Sequence, residues 1–331
     1  MLPQGSLMVI GQITKQQRKA ERQELGKLRD LVVKKGTLEK YHSHFNRFCD
    51  WAEANGFPLL DPQEFDAAAS QFIESLWADG FGKAEGSYLL AALQFMLPVL
   101  KHNLVLSWRL MKTWTKHELP TRAVPLDART ALAFAGLFWV WGEHRMAAGI
   151  LVAFDFFLRT GELFTLRRIH VEFFAQQATI QLTQTKSSTH QIHSQRLLAW
   201  DRLCVASLKF LCHDLVPSDY LVPSSAVRFR ILWHRAVRFF DLSDFYIQPY
   251  SLRRGGCTSA FRAGVSFEQL LVRGRWTHQR TARIYIDEAL QQSASLNFPP
   301  CTQHRLRWAR SQFPLNGFAI LGTRGMVGGE A

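Results

Sequence analysis

The sequence has few cysteines and no long apolar run. Its five cysteines are odd in number, far apart and never spaced like a metal knuckle, which favours a reducing compartment. A membrane-spanning helix needs about 20 apolar residues, whereas the most apolar stretches, 131–141 and 146–158, are shorter and are separated by charged residues. Residues 1–14 also lack the charged start and apolar stretch of a secretory leader. We therefore expect core helices and no membrane partner.

Acidic residues are scarce: 27 Asp and Glu stand against 40 Lys and Arg, for a formal net charge of +13. This surplus suits a polyanionic partner through long-range attraction and counterion release, although many soluble proteins are also basic. A hydrophobic content of 47% excludes a disordered or collagen-like chain. The length of 331 residues predicts two domains, each large enough to bury a core.

Helical periodicity dominates the first third of the chain. Residues 1–35 form a basic arm with helical spacing, which suits either a phosphate backbone or a solvated helix. Residues 36–119 predict a helical domain of about four helices, one of them starting with a cap at Asp61. Residues 120–126 contain two prolines and no periodic pattern, which is typical of a short linker.

The second part of the chain mixes helices with short alternating segments. The hydrophobic pattern of residues 127–290 predicts apolar helices first. It then predicts three short strands, near 169–173, 178–183 and 192–198, followed by further helices. Residues 291–331 predict a C-terminal tail that docks in part. The expected fold class is mainly α with a small antiparallel β-sheet.

Arginine is concentrated in one region of this second part. From Arg228 to Arg283 there are eleven arginines, no lysine and three acidic residues. The planar guanidinium group binds phosphate with two parallel hydrogen bonds, so the bias favours phosphate recognition. An arginine-rich surface that reflects genomic composition is the alternative.

Five short motifs follow one another in the second part, and none of them is specific alone. They are Arg159-Thr160-Gly161-Glu162, Lys186 in a predicted turn, Tyr250-Ser251-Leu252-Arg253, Gly274-Arg275-Trp276, and Tyr285 nine residues after the tryptophan. In this order they resemble the tyrosine recombinases, or phage-type integrases. The resemblance implies a helical core-binding domain that clamps DNA over residues 36–119 and an α+β catalytic domain over 127–290.

The resemblance also implies a chemistry, in which a DNA strand is cleaved and rejoined through a 3′-phosphotyrosine intermediate. Tyr285 is then the nucleophile, and Arg159 and Arg253 stabilise the charge that develops on the phosphate oxygens. Lys186 is the candidate general acid for the leaving 5′-oxygen. Trp276 matches a position where the family has His and where one branch has a Trp that donates an indole N–H to phosphate. His278 lies close to it in the sequence and is a weaker candidate for this role.

Glu162 is expected to orient Arg159 or brace the fold, and to be the least exposed of these residues. Each candidate also has an ordinary structural alternative. Tyr285 could equally be a half-buried aromatic residue of a helix, and Lys186 a solvated turn residue. Glu162 could be an ordinary ion-pair partner, and Trp276 a core residue.

One motif departs from the family pattern, because Tyr250 stands where the family has His. A phenol can donate a hydrogen bond to phosphate but is a poor base near neutral pH. The sequence therefore leaves two hypotheses open: a site-specific recombinase that retains activity, or a catalytically decayed DNA-binding protein of the same fold derived from a mobile element. A topoisomerase-like enzyme is a third and weaker hypothesis.

The expected partner is double-stranded DNA, with no cofactor. The pairs His190 with His193 and Cys204 with Cys212 do not form a convincing metal set, and the proposed chemistry needs no metal or nucleotide. The resemblance implies a homo-tetramer on DNA, with residues 291–331 contacting a neighbour. Such a protein acts in the cytoplasm of a prokaryote or the nucleus of a eukaryote.

Overall fold

A computed structural model of the protein describes residues 14–25, 27–118, 121–182 and 195–315. The chain divides into two compact units, which we call unit 1 (Met1–Pro120) and unit 2 (Thr121–Ala331). Within the described residues, no helix combines the length and the apolar character that crossing a bilayer requires.

The described part of unit 1 is helical. Its elements are α1 (Lys15–Leu25), a 3-10 turn (Leu28–Leu31), α2 (Lys35–Ala54), α3 (Pro62–Ala78), α4 (Ala84–Met96), a second 3-10 turn (Pro98–His102) and α5 (Val105–His117). The Asp61 side chain accepts a hydrogen bond from Glu64 N at 2.9 Å, which confirms the predicted cap of α3. Helix α4 ends before Pro98, which lacks the N–H that would continue the helix.

A helical core holds unit 1 together, and the basic arm contributes little to it. Phe48, Phe72 and Leu93 are buried in this core with residues of α3 and α5. In the arm, by contrast, Leu28 is 83% exposed and Val32 is 66% exposed. These two residues of the arm therefore lie outside the core of unit 1.

Unit 2 combines helices with one small sheet. Its elements are α6 (Ala128–Val140), α7 (His144–Asp155), α8 (Thr160–Leu163), a 3-10 turn (Arg168–His170), β1 (Val171–Phe174), β2 (Gln177–Leu182), β3 (Gln195–Leu198), α9 (Arg202–Cys212), α10 (Ala226–Phe239), α11 (Tyr250–Arg262), α12 (Phe267–Gly274), α13 (Gln279–Arg283), α14 (Glu288–Leu296) and α15 (Pro300–Ser311). The strands are antiparallel in the order β1-β2-β3, with Ile180 opposite Val171 and Leu197. The predicted fold class, mainly α with a small antiparallel sheet, is confirmed.

Helices α6 and α7 form much of the core of unit 2, and eight residues of each are buried. Helix α15 packs closely on α6, since a Cβ atom at Gly136 would collide with the backbone of Ala309. Leu306 and Ala309 of α15 are buried. Part of the segment predicted as a tail is thus core structure of unit 2.

The segment predicted as a linker is attached to unit 2 over its described residues. Val124 N donates to Tyr246 O at 2.9 Å, and Leu126 N donates to Ser251 O at 3.3 Å. Ala123, Val124 and Leu126 are buried. Because Leu126 contacts the start of α11, this segment helps to fix that helix.

Candidate active site

A buried carboxylate, Glu162, lies at the centre of the candidate site. Its Oε1 accepts from Arg159 Nη1 and its Oε2 from Arg275 Nη2, both at 2.7 Å. Oε2 also accepts from Arg159 N at 2.7 Å, because Arg159 is the N-cap of the short helix α8. Arg253 Nη1 lies 3.9 Å from the same oxygen. One negative charge therefore organises three guanidinium groups.

Arg253 connects this carboxylate to the aromatic residues of the site. It projects from α11, is fully buried, and donates to Phe157 O and Gly274 O. Its guanidinium carbon lies 4.9 Å from the ring centroid of Trp276 and 5.2 Å from that of Tyr285. Glu162, at 4% exposed, is thus not the least exposed candidate as expected, since Arg253 reaches 0% by binding two carbonyl groups.

Tyr285 follows α13, and its backbone is held from α11. Thr258 Oγ1 donates to Tyr285 O at 3.0 Å, and Arg254 Nη2 donates to Ile284 O at 3.2 Å. Arg254 also lies 3.5 Å from the carboxylate of Asp287. These contacts hold the backbone of the tyrosine and of the residue before it, and an ion pair holds the side chain of Asp287, two residues after it.

The two tyrosine hydroxyl groups of the site are bonded to each other. Tyr250 OH donates to the hydroxyl oxygen of Tyr285, and their ring centroids are 5.6 Å apart. Burial alone raises the pKa of Tyr285, but the Tyr250 hydrogen bond and the charge of Arg253 outweigh it and lower that pKa. Burial and the interaction with Tyr285 raise the pKa of Tyr250. Of the two phenols, Tyr285 is therefore the one that ionises more readily.

Both tyrosines border a cavity of about 290 Å³ within unit 2, which is also lined by Arg122, Tyr246 and Arg254. Tyr250 is 40% exposed and Tyr285 is 8% exposed. The cavity gives a small or extended ligand a way to approach the phenols beside two arginines.

Several buried donors near Tyr285 have no hydrogen-bond partner within the described residues. They are the Nε atoms of Arg253, Arg254 and Arg275 and the Nε1 atom of Trp276. The Trp276 ring centroid is 4.4 Å from that of Tyr285. Because an unpaired buried donor is costly, this donor set is suited to an anionic ligand.

Arg275 is a site residue that sequence reasoning did not single out. It has φ of 58°, in the left-handed region that usually requires glycine, and this conformation follows the end of α12. Its side chain is buried and donates to Phe156 O, Phe157 O and Glu162. Burial and the neighbouring cations lower its pKa, which Glu162 opposes.

Arg254 and Thr258 were also missed. Arg254 adjoins a candidate in the sequence, and Thr258 lies four residues, or about one turn, further along the same helix. The available signal was therefore the helical periodicity of α11. Their partners, Ile284 O and Tyr285 O, are backbone groups that no side-chain pattern reveals.

The structure brings six of the seven predicted site residues together: Arg159, Glu162, Tyr250, Arg253, Trp276 and Tyr285. The seventh, Lys186, lies outside the described residues, as do His190 and His193. His278, a weaker substitute for Trp276, is exposed at the start of α13. Within the described ranges, no group of three His, Cys, Asp or Glu residues is placed to hold a metal ion.

Comparison with solved structures identifies the fold. The integrase of the Tn1549 transposon, solved with transposon right-end DNA, matches with a TM-score of 0.53 and 14% identity over 84% of this chain and 96% of that chain. A lambda integrase (75–356) dimer bound to a COC′ core site matches with a TM-score of 0.57 and 14% identity over 82% of this chain and 94% of that chain. The chain therefore has the tyrosine recombinase fold.

No protein-family model matches the sequence, and no curated protein matches it significantly. The similarity is thus one of structure. It agrees with the resemblance drawn from the order of the five motifs.

Proposed function

We propose that this protein is a tyrosine recombinase that cleaves and rejoins double-stranded DNA through Tyr285. One observation carries the proposal: the Tyr285 hydroxyl accepts a hydrogen bond from Tyr250 beside the buried Arg253, and both lower its pKa. An ordinary phenol, with a pKa of about 10, is a weak nucleophile near neutral pH. The fold and the DNA complexes of the two integrases support DNA as the substrate.

In the proposed reaction, Tyr285 attacks a phosphodiester phosphorus as the bond to the 5′-oxygen breaks. The products are a 3′-phosphotyrosine and a 5′-hydroxyl. The Tyr285 proton passes to water and the leaving oxygen takes a proton from Lys186, so the step is balanced. The phosphotyrosine keeps the energy of the original bond, and a second strand's 5′-hydroxyl reverses the step.

Arg159 and Arg253 are proposed to bind the non-bridging oxygens where charge develops, together with Trp276 Nε1. Glu162 is then a positioning residue, because it binds Arg159 through both its side chain and its backbone. Tyr250 remains protonated as its pKa is raised, so its role is to donate to Tyr285 and not to act as a base.

A specific observation favours a second candidate, a DNA-binding protein of the same fold without activity. The Tyr285 hydroxyl is bonded to another phenol, and the imidazole of the family pattern is absent. In that case Tyr250 and Tyr285 form a structural pair. The two candidates differ in whether a covalent protein–DNA adduct forms.

A trapping experiment separates them. The intact chain is incubated with a pool of nicked duplexes of randomised core sequence, so that cleavage releases a short strand and the adduct accumulates. We expect a denaturation-resistant adduct that is lost in Tyr285→Phe and kept in Tyr246→Phe, the matched control for an exposed tyrosine of the same cavity.

Two results decide against the proposal, and a third decides against the expected tetramer. Duplex retention in gel shifts without any adduct supports the second candidate. An adduct that persists in Tyr285→Phe but disappears in Tyr250→Phe assigns Tyr250 as the nucleophile. Adduct formation by a complex with a mass other than four chains contradicts the tetramer that the resemblance implies.

A further inference from the structure

A second surface of unit 2 combines exposed aromatic rings with arginines. We call it the α10–α15 face, and define it by Trp141 after α6, Phe239 at the end of α10, Trp308 in α15 and the arginines of α10 and α15. Phe239 is 37% exposed and Trp308 is 40% exposed. The ring centroid of Phe239 lies 6.5 Å from that of Trp141 and 6.0 Å from that of Trp308. The three rings therefore form one continuous strip.

Arginine side chains lie beside two of the three rings of this strip. The guanidinium carbon of Arg235 lies 4.7 Å from the Trp141 ring centroid, and that of Arg305 lies 5.9 Å from the Phe239 ring centroid. Arg305 Nη1 also donates to Phe239 O at 2.8 Å, which fixes it beside the ring. These contacts hold the cationic groups next to the rings before any ligand arrives.

The charge of the face is strongly unbalanced. Helix α10 contains four arginines and α15 contains three, and neither helix contains Asp or Glu. Of these arginines, Arg228 alone pairs with a carboxylate of the described residues, that of Glu143. The nearest acidic residues along the chain, Asp241 and Asp244, follow α10 and are exposed. Most of the positive charge is thus free to bind an external anion.

This combination distinguishes between classes of polyanion. Exposed rings can stack on unpaired nucleobases, and arginines supply phosphate and cation–π contacts. Duplex DNA keeps its base faces inside the stack, so it would use the charges alone. An acidic peptide would likewise satisfy the cations and leave the rings unused.

We propose that the α10–α15 face binds single-stranded nucleic acid, with bases stacked on Phe239 and Trp308 and phosphates bound by Arg235, Arg238 and Arg305. The proposal is independent of chemistry at Tyr285. The ligand chemistry is shared by DNA and RNA, so both are tested.

The test measures fluorescence anisotropy of the intact chain with labelled 20-mers of oligo-dT and oligo-U and with a 20-base-pair duplex. We expect Trp308→Ala to weaken binding of at least one single strand about tenfold, from the stacking energy of one base. Duplex affinity and adduct formation should change less than twofold. Oligo-dT and oligo-U affinities then show which sugar the face prefers.

A matched control comes from another arginine–aromatic pair of unit 2. Arg167 lies 4.5 Å from the ring centroid of Tyr220, which is 43% exposed, and belongs to neither α10 nor α15. Tyr220→Ala should leave single-strand affinity unchanged. Trp308 packs on Phe239, so Trp308→Ala also removes a packing contact. Arg235→Gln and Arg238→Gln test the face without truncating a ring. Each should lower the affinity for single strands and make that affinity less dependent on salt concentration.

Four results would overturn the proposal. The first is unchanged oligonucleotide affinity in Trp308→Ala and in both arginine variants. The second is a loss of single-strand affinity in Tyr220→Ala as large as that in Trp308→Ala. The third is a loss of duplex affinity as large as the loss of single-strand affinity, which indicates that the face binds duplex DNA through its charge. The fourth is a changed oligomeric state of the variants in sedimentation, which assigns the face to contacts between copies of this chain.

Discussion

The two units of the protein differ in how many charged groups they bury. Among the described residues, unit 1 buries one carboxylate, Asp66, which accepts from Leu106 N, Ser107 N and Ser107 Oγ at 2.7–2.9 Å. Unit 2 buries four arginines, Arg253, Arg254, Arg273 and Arg275, and three of them keep an unpaired Nε donor. A buried charge is costly unless it is paired. In unit 1 the Asp66 carboxylate binds the start of α5, whereas in unit 2 we propose that part of the buried charge binds a ligand.

A comparison inside unit 2 sharpens this point. Arg273 is buried like Arg253, but its guanidinium group has strong partners. It lies 2.8 Å from the carboxylate of Asp155, donates to Leu198 O at 2.6 Å, and its guanidinium carbon lies 3.7 Å from the ring centroid of Trp200. Arg253 donates to two carbonyl groups, lies 3.9 Å from a carboxylate oxygen and stacks near the rings of Trp276 and Tyr285. Its Nε atom has no hydrogen-bond partner within the described residues. Arg273 therefore braces the fold, whereas Arg253 is the arginine that we propose binds the phosphate.

The largest effect is expected for Arg253→Lys. This change keeps the charge but removes the planar guanidinium, so adduct formation per folded molecule should fall about 100-fold or more, as for loss of a transition-state donor. The matched variant Arg273→Lys should lower stability and leave that rate within about threefold. Equal rate losses in both variants would remove the distinction between the two arginines.

Glu162→Gln should reduce the free energy of unfolding by about 3–5 kcal/mol, because it leaves three guanidinium groups without their shared anion. Asp66→Asn in unit 1 should cost only about 1–3 kcal/mol, since an amide oxygen still accepts from the start of α5. Urea unfolding followed by circular dichroism and tryptophan fluorescence measures both. A larger loss for Asp66→Asn would reverse the comparison between the units.

Tyr250→Phe should shift the pH dependence of adduct formation. The hydrogen bond from Tyr250 stabilises the Tyr285 phenolate, so its removal raises the pKa of Tyr285 and moves the rising limb of the rate profile to higher pH. At pH 7 we expect a rate loss of about tenfold, which shrinks as the pH rises. A uniform loss at every pH indicates that Tyr250 acts in some other way.

The smallest expected effect concerns the backbone of Arg275. Both Arg275→Ala and Arg275→Gly remove the ion pair with Glu162, but glycine accepts φ of 58° without strain. Arg275→Gly should therefore be more stable than Arg275→Ala by about 1 kcal/mol. Equal stabilities in thermal unfolding would show that the αL conformation is lost with the side chain.

Several elements were predictable because their signals are local. Asp61 with Pro62 marked the start of α3, Pro98 marked the end of α4, and alternation predicted the strands that became β1, β2 and β3. The order of the motifs predicted six residues that the structure brings together. Arg275 escaped notice because its role depends on a left-handed backbone and on a partner 113 residues away.

The sequence by itself determined the helical composition, the small sheet and the basic character, because periodicity, caps and composition are local signals. The site candidates came from the order of five motifs and the resemblance that this order carries. Only the tertiary structure decided that Tyr250 donates to Tyr285, that Glu162 binds both Arg159 and Arg275, and that α15 belongs to the core of unit 2. Those contacts join distant segments. They follow from how α8, α11 and the ends of α12 and α13 pack around shared buried charge.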